Sequence, residues 1–442
     1  MAYNAGSGLP FEAASKLGHL SLVNSPWIQQ LVTDFDTVLT EPSKSLLSNW
    51  NNYSSEGTAL NNIWVVDGSF VPVKSGSYPS KEVAFIKTAI LNLSSYQLGK
   101  IDKQYPHPMD LQKLMKDNAL FHSTVLPLRN IKTSRGTNFD AVRHIIYESL
   151  LKDEKGAYFE TLKWLSYEKW QSVHKNSPNF NCPYCEHEQS FSFDSNNKYC
   201  ENSMCNQKLF LTDMIGFHLE MSEEKAPDSL ASAYMSIMEH LMLFTLIRVH
   251  WNHNDKNLIK DTLFIKDGPL SLNSQYVKLV DPIRNFLEYA KNQSRPINII
   301  GQEKSGKFVD HLSTFVQHIK PKDFGEPMSY LVLSHEYVNT HVQDRPTKIN
   351  YGKRSNWGEK IFVKYDPTTF LVLNIPTGFY LDLKDAPGVN DLIGLDNILA
   401  TLPQIISHRY SGGLYPIELA NGIASLSSYP SSKILERFLS SI

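Results

Sequence analysis

The chain of 442 residues can bury a sizeable core and has room for two or three domains; 41% hydrophobic and 20% charged residues are ordinary for a globular protein. A net charge of −2 argues against a generally basic nucleic-acid binder, while leaving room for a local basic groove. All four cysteines fall between residues 182 and 205, which argues against a disulfide-rich secreted scaffold. Residues 1–8 have neither the positive start nor the apolar core of a signal peptide. The longest apolar stretch, Leu241 to Val249, is interrupted by Thr245 and Arg248 and is too short to span a bilayer. A soluble cytoplasmic protein with no membrane contact is expected.

Residues 1–60 read as a loosely amphipathic helical region. Ile63 to Val66 then form a buried strand, because all four residues are apolar and β-branched or aromatic. Asp67 falls where that strand should end, with Gly68-Ser69 favouring a turn. A carboxylate fixed at a strand mouth, half out of the core, suits metal coordination. Glu82 to Leu93 is a second apolar segment, and Asp140 to Leu151 has helical spacing.

The densest local signal is Cys182-Pro-Tyr-Cys185, a spacer of fourteen residues, then Cys200-Glu-Asn-Ser-Met-Cys205. Two close thiolate pairs joined by a hairpin-sized spacer match a tetrahedral zinc ribbon. A four-cysteine shell leaves no open position on the metal, so Zn2+ here would be structural. His187 and His218 lie nearby, but no fifth ligand is needed. The module, residues 176–218, should fold only with its metal.

Asp228 to Trp251 reads as one long helix, with Leu230, Tyr234, Ile237, Met238, Leu241, Phe244 and Ile247 as its apolar stripe. Glu239 lies beside the stripe, where a carboxylate is costly unless it is paired or metal-bound. A Lys or Arg partner would satisfy it. Its place just before Leu263-Phe-Ile-Lys-Asp267-Gly268, a second strand ending in Asp-Gly, favours a ligand role. Strands and helices then alternate: Ile297–Ile300, Phe308–Ile319, Tyr330–Leu333, Lys360–Tyr365 and Thr369–Ile375. A helix over Asp391–Leu402 and two more between Tyr415 and Leu439 complete the chain.

Gly301-Gln-Glu-Lys-Ser-Gly306-Lys307-Phe308 nearly fits a phosphate-binding P-loop. Phe308, however, stands where a Ser or Thr hydroxyl would bind magnesium. Lys304 and Lys307 could instead touch a nucleic-acid phosphate, or be plain surface lysines.

The pair Val-Val-Asp67-Gly-Ser and Ile-Lys-Asp267-Gly-Pro-Leu, with Glu239 on the helix between them, resembles the NurA nuclease family. So do Lys304 after a later strand and the segment Gly413-Leu-Tyr415-Pro-Ile-Glu-Leu419 leading into a helix. Two departures stand out: Pro269 replaces a serine, and Ile423 replaces the histidine the family places eight residues after the tyrosine. His408 or another histidine would have to stand in for it. The zinc knuckles look like an insertion between the aspartate motifs.

The resemblance implies an RNase H-like α/β fold, a mixed sheet with flanking helices, split into residues 61–175 and 219–442 around the ribbon. It implies a manganese- or magnesium-dependent DNA nuclease. Asp67 would be the bridging metal ligand, Glu239 and Asp267 would complete the metal site, Lys304 would contact the scissile phosphate, and Tyr415 would position the strand or the attacking water. It further implies a homodimer working with a HerA-type hexameric ATPase in DNA end processing or antiviral defence. Two alternatives stay open. One is a non-catalytic DNA-binding or scaffold subunit of such a complex; the other is a nucleotide hydrolase using Gly301 to Lys307.

Overall fold

The computed structural model describes residues 22–35, 50–53, 56–76, 78–101, 107–222, 225–318, 328–343, 351–380, 386–407, 412–426 and 431–440. His408 lies outside them. The chain divides into two compact units, Met1–Pro42 and Ser43–Ile442. The described part of the first unit contains helix α1 (Pro26–Thr33), which has Pro26 at its first position.

The second unit is α/β. Its strands are β1 (Asn51–Asn52), β2 (Asn62–Lys74), β3 (Glu82–Ser94) and β4 (Ala119–Arg129), the ribbon strands β5 (Phe180–Asn181), β6 (Glu188–Gln189), β7 (Asn197–Tyr199) and β8 (Lys208–Phe210), then β9 (Thr262–Asp267), β10 (Asn298–Glu303), β11 (Ser329–Val332), β12 (Glu359–Lys364) and β13 (Phe370–Ile375). Nine of them make one mixed sheet in the order β1-β11-β12-β13-β10-β9-β2-β3-β4. Its centre is parallel: β9 lies between β2 and β10, pairing Ile63 with Leu263 and Leu263 with Asn298.

Helices α2 (Ser95–Lys100), α3 (Pro108–Asn118), α4 (Asn138–Lys152), α5 (Ala157–Ser166), α6 (Asp228–Asn252), α7 (Val280–Asn292), α8 (Lys307–His318), α9 (Leu395–Ile405), α10 (Tyr415–Ala424) and α11 (Ser431–Ser440) accompany the sheet. One apolar layer joins Val66 and Phe264 to residues of α4, α5, α6 and α7. The opposite layer joins Ile63, Val65, Leu263 and Ile265 to residues of α9 and α10. This is the period-two alternation of strands covered on both faces.

Helix α6 is apolar nearly all round, as a core helix must be. By length and composition it could cross a membrane, although the shorter stretch Leu241–Val249 could not; 83% of its most apolar window is buried inside the fold.

The largest departure from expectation is β2. It does not stop at Val66 but runs for thirteen residues, so Asp67 lies within the strand and Gly68-Ser69 is not a turn. The reason is the partner strand: β3 pairs with β2 along its full length, from Asn62 opposite Ser94 to Lys74 opposite Glu82. A continuous ladder of that length outweighs the local turn preference of Asp-Gly-Ser. The second Asp-Gly does turn. Gly268 takes a φ of 83° and its N–H donates to the Gln302 carbonyl at 2.7 Å.

Candidate active site

Parallel pairing of β2 with β9 matches Val66 to Lys266 and then stops. One residue further on, Asp67 and Asp267 stand side by side, on the face shared by Val65 and Ile265. Lys266 and Gly68 alternate to the other face, under α6, and there Lys266 Nζ meets Glu239 at 2.9 Å. A Cβ built on Gly68 would lie 2.9 Å from Glu239 Oε1 and 2.6 Å from Met235 Cγ. Glu239 therefore reaches the strand pair from beneath, against the glycine next to Asp67.

Lys304, just beyond β10, approaches from the side and binds Asp267 Oδ2 at 2.8 Å. Tyr415 begins α10 and is buried in the layer that covers the Asp67 face. Its position is fixed from several directions. Gln302 Oε1 accepts from the Leu414 N–H at 3.1 Å. At the far end of the helix, Lys87 donates to the Ile423 carbonyl at 2.8 Å, and Ser69 Oγ accepts from the Leu426 N–H at 3.1 Å.

Asp67 is the electrostatic centre of the group. Burial, then the charges of Asp267 and Glu239, push its carboxyl up to about 8; the Gly68 N–H and Lys304 oppose the rise. Its Oδ1 accepts from the Gly68 N–H at 2.7 Å. Its Oδ2 is buried with no hydrogen-bond partner among the described residues. Burial also raises Glu239, against the pull of Lys266.

Asp67 and Asp267 offer the oxygen donors that a hard divalent cation takes, one of them an orphaned buried oxygen; Glu239 lies across the strand pair on the α6 side, and the three carboxylates do not all come within 4.8 Å of one another. Without a cation, Lys266 and Lys304 neutralise two of the three carboxylates. Among the described residues, only the four cysteines bring three or more such ligand atoms all within 4.8 Å of one another. Lys266 and Gln302 were not anticipated. The signal for Lys266 was a lysine inside an apolar strand, next to an aspartate.

The P-loop pattern is not built as a loop. Gly301 lies inside β10, where a Cβ would meet the Gly268 carbonyl at 2.6 Å; α8 begins at Lys307, and Phe308 is buried in the core.

In the ribbon, Cys182 and Cys185 sit in the β5–β6 hairpin, and Cys200 and Cys205 between β7 and β8. No disulfide joins them. Sulfur separations of 3.6 Å (Cys185–Cys200) and 3.9 Å (Cys182–Cys205) bracket the edge, about 3.8 Å, of a tetrahedron with the roughly 2.3 Å arms of zinc–thiolate bonds. The four cysteines are thus clustered as a zinc-binding module requires. His187 and His218 do not join the cluster. The guanidinium of Arg143, on α4, forks onto Asp213 at 2.8 and 2.6 Å and also donates to the Lys208 carbonyl and the Tyr184 hydroxyl, fastening the module to the main fold.

No family model matches the chain, and neither does any curated protein. Among solved structures, the chain is similar to a crystal structure of NurA, with 11% identity over 98% of both chains and a TM-score of 0.31. It is also similar to a crystal structure of NurA with manganese, at the same identity and coverage and a TM-score of 0.25. Scores this low leave function to be argued from the geometry of the site.

Proposed function

We propose that the chain is a divalent-metal-dependent DNA nuclease, an exonuclease, an endonuclease or both. The observation that carries this is Asp67: a buried carboxylate with an orphaned oxygen, beside Asp267 and above Glu239. Asp67, Asp267 and Glu239 would hold Mn2+ or Mg2+. When bound, such ions supply an activated water and stabilise the departing 3′ oxygen of a phosphodiester.

The chain's own residues do the rest. The paired strands hold the two aspartates rigidly, and Lys266 pairs with Glu239 at 2.9 Å, opposing the rise that burial imposes on its carboxyl. Lys304, partly exposed at the rim, can place its ammonium on a phosphate oxygen. Tyr415, anchored at the start of α10, positions the strand or the attacking water. The ribbon carries a structural Zn2+. By the motif resemblance, the protein works in the cytoplasm as a homodimer with a HerA-type hexameric ATPase, in DNA end processing or antiviral defence.

The ion pairs Lys266–Glu239 and Lys304–Asp267 favour one other reading, a non-catalytic DNA-binding subunit in which these carboxylates are structural. Cleavage of labelled DNA with manganese or magnesium decides between them. Asp67→Asn and Asp267→Asn should each lower cleavage by more than the roughly 10–100-fold typical of losing a mere supporting partner of a metal ligand. Circular dichroism and DNA binding should be unchanged. A wild-type protein that cuts nothing with either metal, alone or with an ATPase partner, would leave the scaffold reading standing.

A further inference from the structure

Next to Lys304 the structure has a cavity of about 540 Å³ that the site described above does not use. Its walls are the face of α8 bearing Val309, Leu312 and Val316, and the start of β13 with Phe370 and Val372. Gly412 and Gly413, which lead into Tyr415, close one side. Glu303 and Lys304 stand at the end towards Asp267; Ser313, Gln317 and Thr368 supply polar groups elsewhere on the lining. The volume is within the range of pockets that enclose a small ligand, about 300–1,000 Å³.

We propose that this cavity takes one unstacked nucleobase of the strand being cut, so that the substrate is a single-stranded or frayed end rather than an intact duplex. The proposal rests on the nuclease reading and deepens it. Three features select a base over other small ligands. Apolar and aromatic walls suit a flat ring. The Glu303 carboxylate, fixed by Lys360 and by Asn374 at 3.0 Å, is an acceptor suited to the amino group of a base edge. Most telling is continuity: Lys304 belongs both to the cavity lining and to the Asp267 ion pair. A phosphate on Lys304 therefore places the adjoining base at the cavity mouth. A base still stacked and paired cannot enter; it must first leave the helix.

The test uses fluorescent oligonucleotides that differ only in whether one nucleotide carries its base or is abasic, that position being moved along the strand. Binding is measured without added divalent metal, and cleavage with manganese. Wild-type protein should bind and cut the base-bearing strand about ten-fold better at one position, a factor within the range of a single base contact. It should cut frayed ends faster than blunt duplex. Val309→Trp, which fills the cavity, should erase the discrimination. Ser313→Trp, on the exposed side of the lining, does the same should Val309→Trp fail to fold. Equal treatment of base-bearing and abasic strands at every position, with cleavage intact, overturns the cavity assignment and leaves the nuclease reading in place. Discrimination in binding by a protein that cuts nothing does the reverse. Absence of DNA binding overturns both.

Discussion

A methyl group on Gly68 would lie 2.6 Å from Met235 Cγ and 2.9 Å from Glu239 Oε1, so those two side chains must shift to admit it. The glycine lets α6 bring a carboxylate up against β2, beside Asp67. Gly68→Ala should therefore cost about 1–3 kcal/mol of stability, the usual range for overpacking, and should push Glu239 away from the aspartates. Urea unfolding and manganese titration of the variant check the two halves separately. Weakened manganese binding in a protein of normal stability would show that only the placement of Glu239 had changed. The sequence made Asp67, Glu239 and Asp267 legible because carboxylates in apolar surroundings need a reason. Lys266 escaped notice, since a lysine one position before the aspartate reads as the solvent side of a strand. Here both faces of β9 are covered and there is no solvent side.

Among elements, the zinc module shows how a small insertion is held. Arg143 is buried and bonded to Asp213, a carbonyl and a tyrosine hydroxyl across the join. Arg143→Met would leave Asp213 buried without its partner, at a cost of about 3–5 kcal/mol. Limited proteolysis should then cut within residues 176–218 while the sheet survives. Zinc chelation should expose the same region to the protease, and protection should return when zinc is added back. Cuts spread evenly over the chain would mean that the module and the sheet unfold as one. Most elements here were legible, because cysteine spacing, helical periodicity and apolar runs are local signals. The length of β2 was not. Its second half follows from pairing with β3, and nothing within Asp67-Gly-Ser69 announces a partner twenty residues away. Gly301 came near a P-loop pattern without being part of one: it serves close approach to the turn after Asp267.

For the molecule as a whole, buried imidazoles weaken the fold in acid, while the raised carboxyls of Asp67 and Glu239 act in the opposite sense. Burial depresses His122, His250 and His311, the last to about 4. His311 Nε2 lies 2.6 Å from the Tyr337 hydroxyl inside the core. Below about pH 6.5 the unfolded chain takes up these protons and the folded chain does not, so the imidazole contribution to stability falls as pH drops from about 6.5 towards 4. His311→Asn should flatten that fall by up to about 1.4 kcal/mol per pH unit. Urea midpoints collected from pH 7.5 to 5 measure it; an unchanged slope would show that His311 takes up its proton in the folded protein as readily as in the unfolded one.

The parallel centre of the sheet has a temporal consequence. Residue 63 finds its neighbour at 263, and 263 finds its other neighbour at 298. During synthesis Asp67 leaves the ribosome some two hundred residues before Asp267, and Lys304 comes later still. A nascent or prematurely terminated polypeptide that stops before Asp267 carries the first aspartate without the second. A cell making the proposed nuclease would be shielded from unfinished copies by the order in which the strands are born.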